Sequence, residues 1–183
     1  MITTSEHEVI RKKVMEYFDR ASIAMTENEK KEIEIADFGL NDIENVGLQL
    51  VIYINTDRVC AKEMVLLPGQ VCPEHRHAPF DSYPGKEETF RCRYGTVYLY
   101  VEGAPTENSV IQPPENGKEY YTVFHEIKLK PGEQYTIPIN TRHWFAAGKE
   151  GAVVSEFSTP SYDEKDIFTD PRIDRIPKVA EEV

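Results

Sequence analysis

The spacing of hydrophobic positions changes once along the chain. In "SEHEVIRKKVMEYFDRA", Ile10, Val14, Tyr17 and Phe18 recur along one face of a helix, and Ser5 followed by Glu8 has capping-box spacing. This predicts one short amphipathic helix within an N-terminal segment, residues 1–22. Beyond it the pattern shortens toward period two. "IEIADFGL" opens the candidate sheet, and "GLQLVIYIN", "VCAKEMVLL", "ETFRCRYGTVYLYVEG", "YYTVFHEIKLK", "QYTIPI" and "GAVVSEFSTPS" follow as runs rich in β-branched and aromatic residues. "INTD", "LPGQ", "KPGE" and "AGKEG" separate them, so the chain reads as an all-β antiparallel sandwich or barrel. "APTENSVIQPPENGKE" is polar and rich in Pro, Gly and Asn, a long connection suited to a lid or rim. "DPRIDRIPKVAEEV" reads as irregular chain wrapped on the domain or ending it.

Length and charge narrow the class. A chain of 183 residues can bury one core without disulfides and reads as a single domain, 1–183, with a barrel core over about 45–160 and a tail over 161–183. A formal net charge of −11 without a long Lys/Arg cluster argues against a nucleic-acid partner and leaves a small molecule or a protein. "MITTSEHEVIRKKVMEY" has no apolar signal-like core and no run is long and uncharged enough to span a bilayer, so a soluble, cytoplasmic protein without a membrane partner is expected. Cys60, Cys72 and Cys92 are odd in number and lack CxxC spacing; they are expected as reduced, at least partly buried residues. Edge strands and the opening helix suggest a homodimer.

Candidate chemistry centres on "PEHRH". In a strand, residues two apart share a face, so His75 and His77 can converge on one ion while Arg76 looks away. Glu88 arrives on a neighbouring strand after a loop shaped by Pro79 and Pro84, and His143 in "PINTRHWF" offers a third imidazole. Three neutral imidazoles and a carboxylate suit Mn, Fe, Ni, Co or Zn and leave positions open to substrate or water. Any one of these histidines alone reads more simply as a surface or hydrogen-bonded residue; the combination alters that reading.

With these residues the sequence resembles the cupin superfamily. Gly69, His75, His77, Glu88 and Gly95 match its first motif with a lengthened spacer, "APFDSYPGKE", and the distance to Gly95 selects Glu88 over Glu87 as the ligand. Gly132, Pro138 and His143 match its second motif, with Asn140 where glycine is usual and Ala147 where asparagine is usual. Asn tolerates positive φ, so the first departure is mild. The resemblance implies a single-domain cupin, an antiparallel jelly-roll barrel with a short N-terminal helix, holding one divalent ion per chain on His75, His77, Glu88 and His143, Mn(2+) first and Co, Fe, Ni or Zn as alternatives. A closer likeness, carried by "PGQ", "PEHRH", Lys86 two residues before Glu88 and the tail "SEFSTPSYDEKDIFTDPRIDRIP", is to single-cupin D-lyxose ketol-isomerases. It implies isomerisation of a free sugar, D-lyxose to D-xylulose and also D-mannose to D-fructose. The alternatives are a phosphosugar isomerase, a dioxygenase and a non-catalytic sugar-binding cupin.

Two further residues are assigned catalytic roles. Lys86 holds a sugar oxygen or supplies a proton; on spacing alone it reads equally as a solvated turn lysine. Glu156 in "AVVSEFS" is placed as the proton-shuttling base, because a carboxylate in an apolar strand is costly to bury without a purpose; alternation equally allows Val153 and Phe157 inward and Glu156 outward. Lys62 points into the barrel with Met64 and Leu66 or sits at a wetter strand end. Gln70 and Glu74 bind hydroxyls or cap turns, Phe90 reads as barrel wall, His125 as a structural histidine and His7 as solvated. Of Trp144 and Phe145, one packs inward and the other toward an interface or rim. Asp163, Asp166 and Arg175 close the tail over the pocket or form a surface charge network.

Overall fold

The computed structural model describes residues 2–180. A two-residue strand β1 (Ile2–Thr3) leads into α1 (Thr4–Arg20), whose buried face is Ile10, Val14, Tyr17 and Phe18, as the periodicity predicts. The cap is Thr3, not Ser5. Thr3 is extended at φ −80°, its Oγ1 accepts from the Glu6 backbone N–H at 3.2 Å, and Glu6 Oε2 accepts from the Thr3 N–H at 2.8 Å. Glu8, one turn further in, pairs with Arg11 at 2.5 Å. Thr3→Ala should therefore cost about 1 kcal/mol, whereas Ser5→Ala should stay within about 0.5 kcal/mol. Urea denaturation of both variants checks this, and equal losses would return the cap to Ser5.

A short helix α2 (Glu27–Lys31), absent from the sequence reading, precedes the strands β2 (Glu34–Ala36), β3 (Leu48–Asn55) and β4 (Cys60–Leu66). There follow β5 (Val71–Arg76), β6 (Glu88–Val101), β7 (His125–Leu129), β8 (Gln134–Ile137), β9 (His143–Ser158), β10 (Ile167–Phe168) and β11 (Val179–Ala180). The long strands β6 and β9 pair antiparallel from Glu88↔Ser158 to Val101↔His143. Along the free side of β9 lie β4 and β5, end to end across the "LPGQ" turn. Along the free side of β6 lie β8 and β7, joined by "KPGE". With β3 and β2 beyond β4, and β10 beyond β5, the sheet curls on itself without closing fully, a mostly β single domain resembling a cupin jelly roll. β1 and β11 form a separate parallel pair, so the tail is more regular than the sequence suggests.

"AGKEG" does not separate strands; β9 runs through it. The register against β6 shifts between Gly95 and Val97, opposite this stretch, so the strands bend there as a bulge. Gly95 and Gly151 both have positive φ, and a Cβ on Gly95 would lie 2.0 Å from the Gly151 carbonyl oxygen. Only glycine lets the two backbones pass that closely.

Inward residues of the curl, among them Leu48, Leu50, Met64, Phe90, Leu99, Phe145 and Val154, form the barrel core. α1 covers the outer face over Val51, Val65 and Val153. Burying a side chain such as Phe18 stabilises the fold by about 1.5–3 kcal/mol. Trp144 and Phe145 are both fully buried, which corrects the expectation that one meets a rim. Phe145 meets Phe90 inside, while Trp144 points outward, stacks on Tyr100 at 3.9 Å and donates to the Val123 carbonyl at 2.7 Å. It is covered by Tyr121, Val123 and Phe124, which the sequence places in the strand "YYTVFHEIKLK" but which precede β7 as irregular chain.

Candidate metal centre

Three strand ends meet inside the curl. His75 sits near the end of β5, with its Cα paired to His143 at the start of β9. His77 lies just past β5, Glu88 opens β6, and Lys86 precedes it. The ligating nitrogens of His75, His77 and His143 lie within 4.8 Å of one another, and all three residues are buried. Glu88 is buried among them, its Oε1 3.1 Å from Nε2 of both His77 and His143. Glu87 is exposed.

The donor set fits a divalent cation. Nδ1 of His75 contacts the Pro73 carbonyl at 2.8 Å, Nδ1 of His143 the Thr141 carbonyl at 3.0 Å, and Nδ1 of His77 Asp166 Oδ1 at 2.5 Å. These contacts occupy the far nitrogen of each ring and leave Nε2 for a metal. Buried His143 Nε2 has no aligned hydrogen bond among the described residues, although the Glu88 carboxylate lies within ion-pair distance. Burial, then the neighbouring His143 and His77, push His75 well below the usual histidine pKa. For His77 burial also pushes down, but Glu88 and Asp166 outweigh it and raise the value to about 9. A cation entering the site competes with that proton.

Lys86 and Glu156 adjoin the cluster. Lys86 Nζ lies 2.7 Å from Glu88 Oε2 and 2.5 Å from Glu156 Oε1, and only 4 % of its side chain is exposed. Burial alone would favour the neutral amine; the Glu156 and Glu88 carboxylates overcome it and hold the pKa well above the usual lysine range. The Glu88 carboxyl is correspondingly held well below its usual value, burial being outweighed by Lys86 and His77. Phe157 is exposed and Glu156 is buried, so β9 takes the alternation that turns Glu156 inward. Its Cα partners Lys62 on β4 and Phe90 on β6 share that face.

Lys62, Phe90, Asp163, Asp166 and Arg175 also line the cavity, with Phe38 and Phe168 as apolar wall. Lys62 Nζ donates to Asp163 at 2.9 Å and to Ser161 at 3.0 Å, and Arg175 bridges Asp163 and Glu34. Sequence reasoning left the orientation of Lys62 open, because alternation in β4 fits either end of the strand. It named Arg175 only as a candidate tail closure, since nothing local marks one arginine in a charged tail. Gln70 and Glu74 are structural. Gln70 caps the Leu67 N–H at 2.9 Å, and Glu74 accepts from Thr122, Val123 and Thr169. His125 is exposed, with Nδ1 on the Ala104 carbonyl, away from the cluster. The three cysteines are free and buried. Asn140 has φ 57°, the conformation its place in the second motif demands.

The family model described as D-lyxose isomerase matches residues 13–183. The chain belongs to the D-lyxose isomerase family. It is 63% identical over 181 residues to the D-lyxose/D-mannose isomerase of Thermosediminibacter oceani, covering 99% of this chain and 100% of that one. It is 57% identical over 175 residues to the D-lyxose ketol-isomerase of Cohnella laeviribosi, covering 96% of each. Among solved structures, an Acinetobacter L-ribose isomerase in complex with L-ribose superposes with a TM-score of 0.82 at 15% identity, over 99% of this chain and 98% of that one. At that identity the likeness speaks for the fold alone. The buried histidine cluster suggests a metal-binding site, and Ala147, where cupins commonly carry asparagine, is fully buried between strands and donates its N–H to the Gln70 carbonyl at 3.0 Å.

Proposed function

We propose that this protein is a divalent-metal aldose–ketose isomerase that interconverts D-lyxose and D-xylulose, and also D-mannose and D-fructose, by proton transfer through an enediol. The observation that carries the reading is the buried chain of contacts from the imidazole cluster through Glu88 to Lys86 and Glu156. A divalent ion held by His75, His77, His143 and Glu88 would supply Lewis acidity that polarises the sugar carbonyl and stabilises developing negative charge. Glu156 takes the proton from C2 of the aldose, and the freed electron pair forms the C1–C2 double bond as the C1=O π pair moves onto O1, which takes a proton from Lys86; the neutral Lys86 amine then accepts the O2 hydroxyl proton as C2=O forms, and the C1–C2 pair takes the proton back from Glu156 at C1. Lys86, kept protonated by its two carboxylates, donates to the sugar oxygen on which charge develops. Phe38, Phe90 and Phe168 keep bulk water from this exchange.

The charge inventory favours an unphosphorylated sugar. The cationic side chains Lys62, Lys86 and Arg175 on the cavity wall are each paired with carboxylates, while Arg76, Arg91, Arg93 and Arg142 lie outside it. No cradle of free donors for a phosphate is present among the described residues. The reading takes manganese as the ion and a cytoplasmic homodimer as the state; light scattering returning a monomer removes the last of these. Among the described residues no helix is long and apolar enough to cross a membrane.

Metal-loaded protein incubated with free aldoses should convert D-lyxose to D-xylulose, and chromatography showing no ketose from any aldose sinks the proposal. With C2-deuterated aldose, label should wash out into water over many turnovers. Complete retention at C1 of the product would replace proton transfer with hydride shift and leave Glu156 without its role.

A further inference from the structure

The clustered histidines differ in what holds their far nitrogens. His75 and His143 each rest Nδ1 on the carbonyl two residues earlier, Pro73 and Thr141, so local backbone fixes both rings. His77 lies past the end of β5 and has no such carbonyl contact; its Nδ1 meets the carboxylate of Asp166 at 2.5 Å, from a residue 89 positions later. The Asp166 side chain is turned in, only 8 % of it exposed. The segment that brings it in is docked on the same strand. β10 pairs Ile167 with Arg76 and Phe168 with His75, the Thr169 N–H donates to the Glu74 carbonyl at 3.0 Å, and Thr169 Oγ1 donates to the Glu74 carboxylate at 2.6 Å.

We propose that Asp166 is the positioning residue for His77: its carboxylate fixes the tautomer and ring orientation that present Nε2 to a divalent ion, so the C-terminal segment is a working part of the metal site. This rests on the metal-dependent reading of the same site. A carboxylate accepting from the far nitrogen makes an imidazole a better ligand, and loss of such a partner costs roughly 10–100-fold in metal affinity. The neighbouring aspartate, Asp163, serves a different partner, Lys62 on β4, so the two acids of this segment are not interchangeable.

The test measures cobalt(II) binding to the whole protein by chelator competition and by the visible absorption of the bound ion, with no sugar present. Asp166→Ala should bind cobalt about 10–100-fold more weakly than the parent. Asp166→Asn, which keeps an acceptor oxygen without the charge, should fall between, with an altered absorption band. Thr169→Val loosens the docking of the segment but keeps Asp166, and should retain parental affinity. Cobalt affinity of Asp166→Ala within about twofold of the parent overturns the proposal, as does an equal loss in Thr169→Val, which would reduce Asp166 to a docking contact. Thermal midpoints of the apo variants verify that each is folded. If the parent binds no divalent ion, the metal reading and this proposal fall together; if it binds ions and isomerises no aldose, the functional reading fails while the positioning role stands.

Discussion

Glu156→Gln should lower kcat for aldose isomerisation by about 10²–10⁴-fold while leaving the protein folded and able to bind its ion. Glutamine has nearly the same shape and keeps an oxygen for Lys86 and for the Ser158 hydroxyl, which contact Glu156 Oε1 at 2.5 and 3.1 Å. It cannot take a proton from carbon. Glu156 contacts no histidine of the cluster, so cobalt affinity should match the parent and the loss should appear in kcat more than in KM. Steady-state kinetics beside a chelator titration make the comparison. A variant that turns over within tenfold of the parent removes Glu156 as the base.

Glu88→Gln should abolish metal retention and turnover together. Its Oε1 sits 3.1 Å from two imidazole nitrogens while Oε2 faces the Lys86 ammonium at 2.7 Å. An amide in that position either turns its NH2 toward Lys86, donor against donor, or turns it toward the metal position. Losing a direct ligand should exceed the roughly 10–100-fold cost of losing an outer partner. It also leaves a buried ammonium with only Glu156, a mechanism that costs about 3–5 kcal/mol where a buried pair is broken outright. Glu87→Gln is the matched control, because Glu87 is exposed and its N–H bonds Thr159 Oγ1 at 3.1 Å. Metal analysis of the purified variants decides between them. Stoichiometric metal in Glu88→Gln, or loss of metal in Glu87→Gln, would move the ligand by one residue.

Different parts of the molecule were legible for different physical reasons. The buried face of α1 was readable because a helix against a sheet must repeat its apolar positions at a local period. Its cap was misplaced because Thr3/Glu6 and Ser5/Glu8 have identical spacing, and the hydrogen bonds that choose between them depend on where the chain leaves β1. "AGKEG" has the composition of a turn, yet a bulge in a long bent strand draws on the same glycines, and what separates the two is a register against β6 some fifty residues away. The cover of Trp144, Tyr121 to Phe124, falls in the strand-like run "YYTVFHEIKLK", but only His125–Leu129 pairs as β7, and the residues before it fold over the indole instead.

By itself the sequence determined the period of α1 and of the main strands, the reduced state expected of three scattered cysteines, and a set of groups able to hold a divalent ion. It also separated Glu88 from Glu87, through the distance to Gly95 where the backbone must turn, and Glu88 is the one buried beside the imidazoles. Only the tertiary structure decided which of those groups meet. Glu88 and His143 stand at opposite ends of the β6–β9 pair, thirteen residues apart along β6 and fifteen along β9. In a flat ribbon at roughly 3.3 Å per residue they would be separated by about 50 Å. The curl of the sheet brings them to 3.1 Å. The inward turn of Glu156, the capture of Lys86 between two carboxylates and the reach of Asp166 to His77 follow from the same closure. Side-chain alternation is local, but the face that becomes interior is set by how the whole sheet bends.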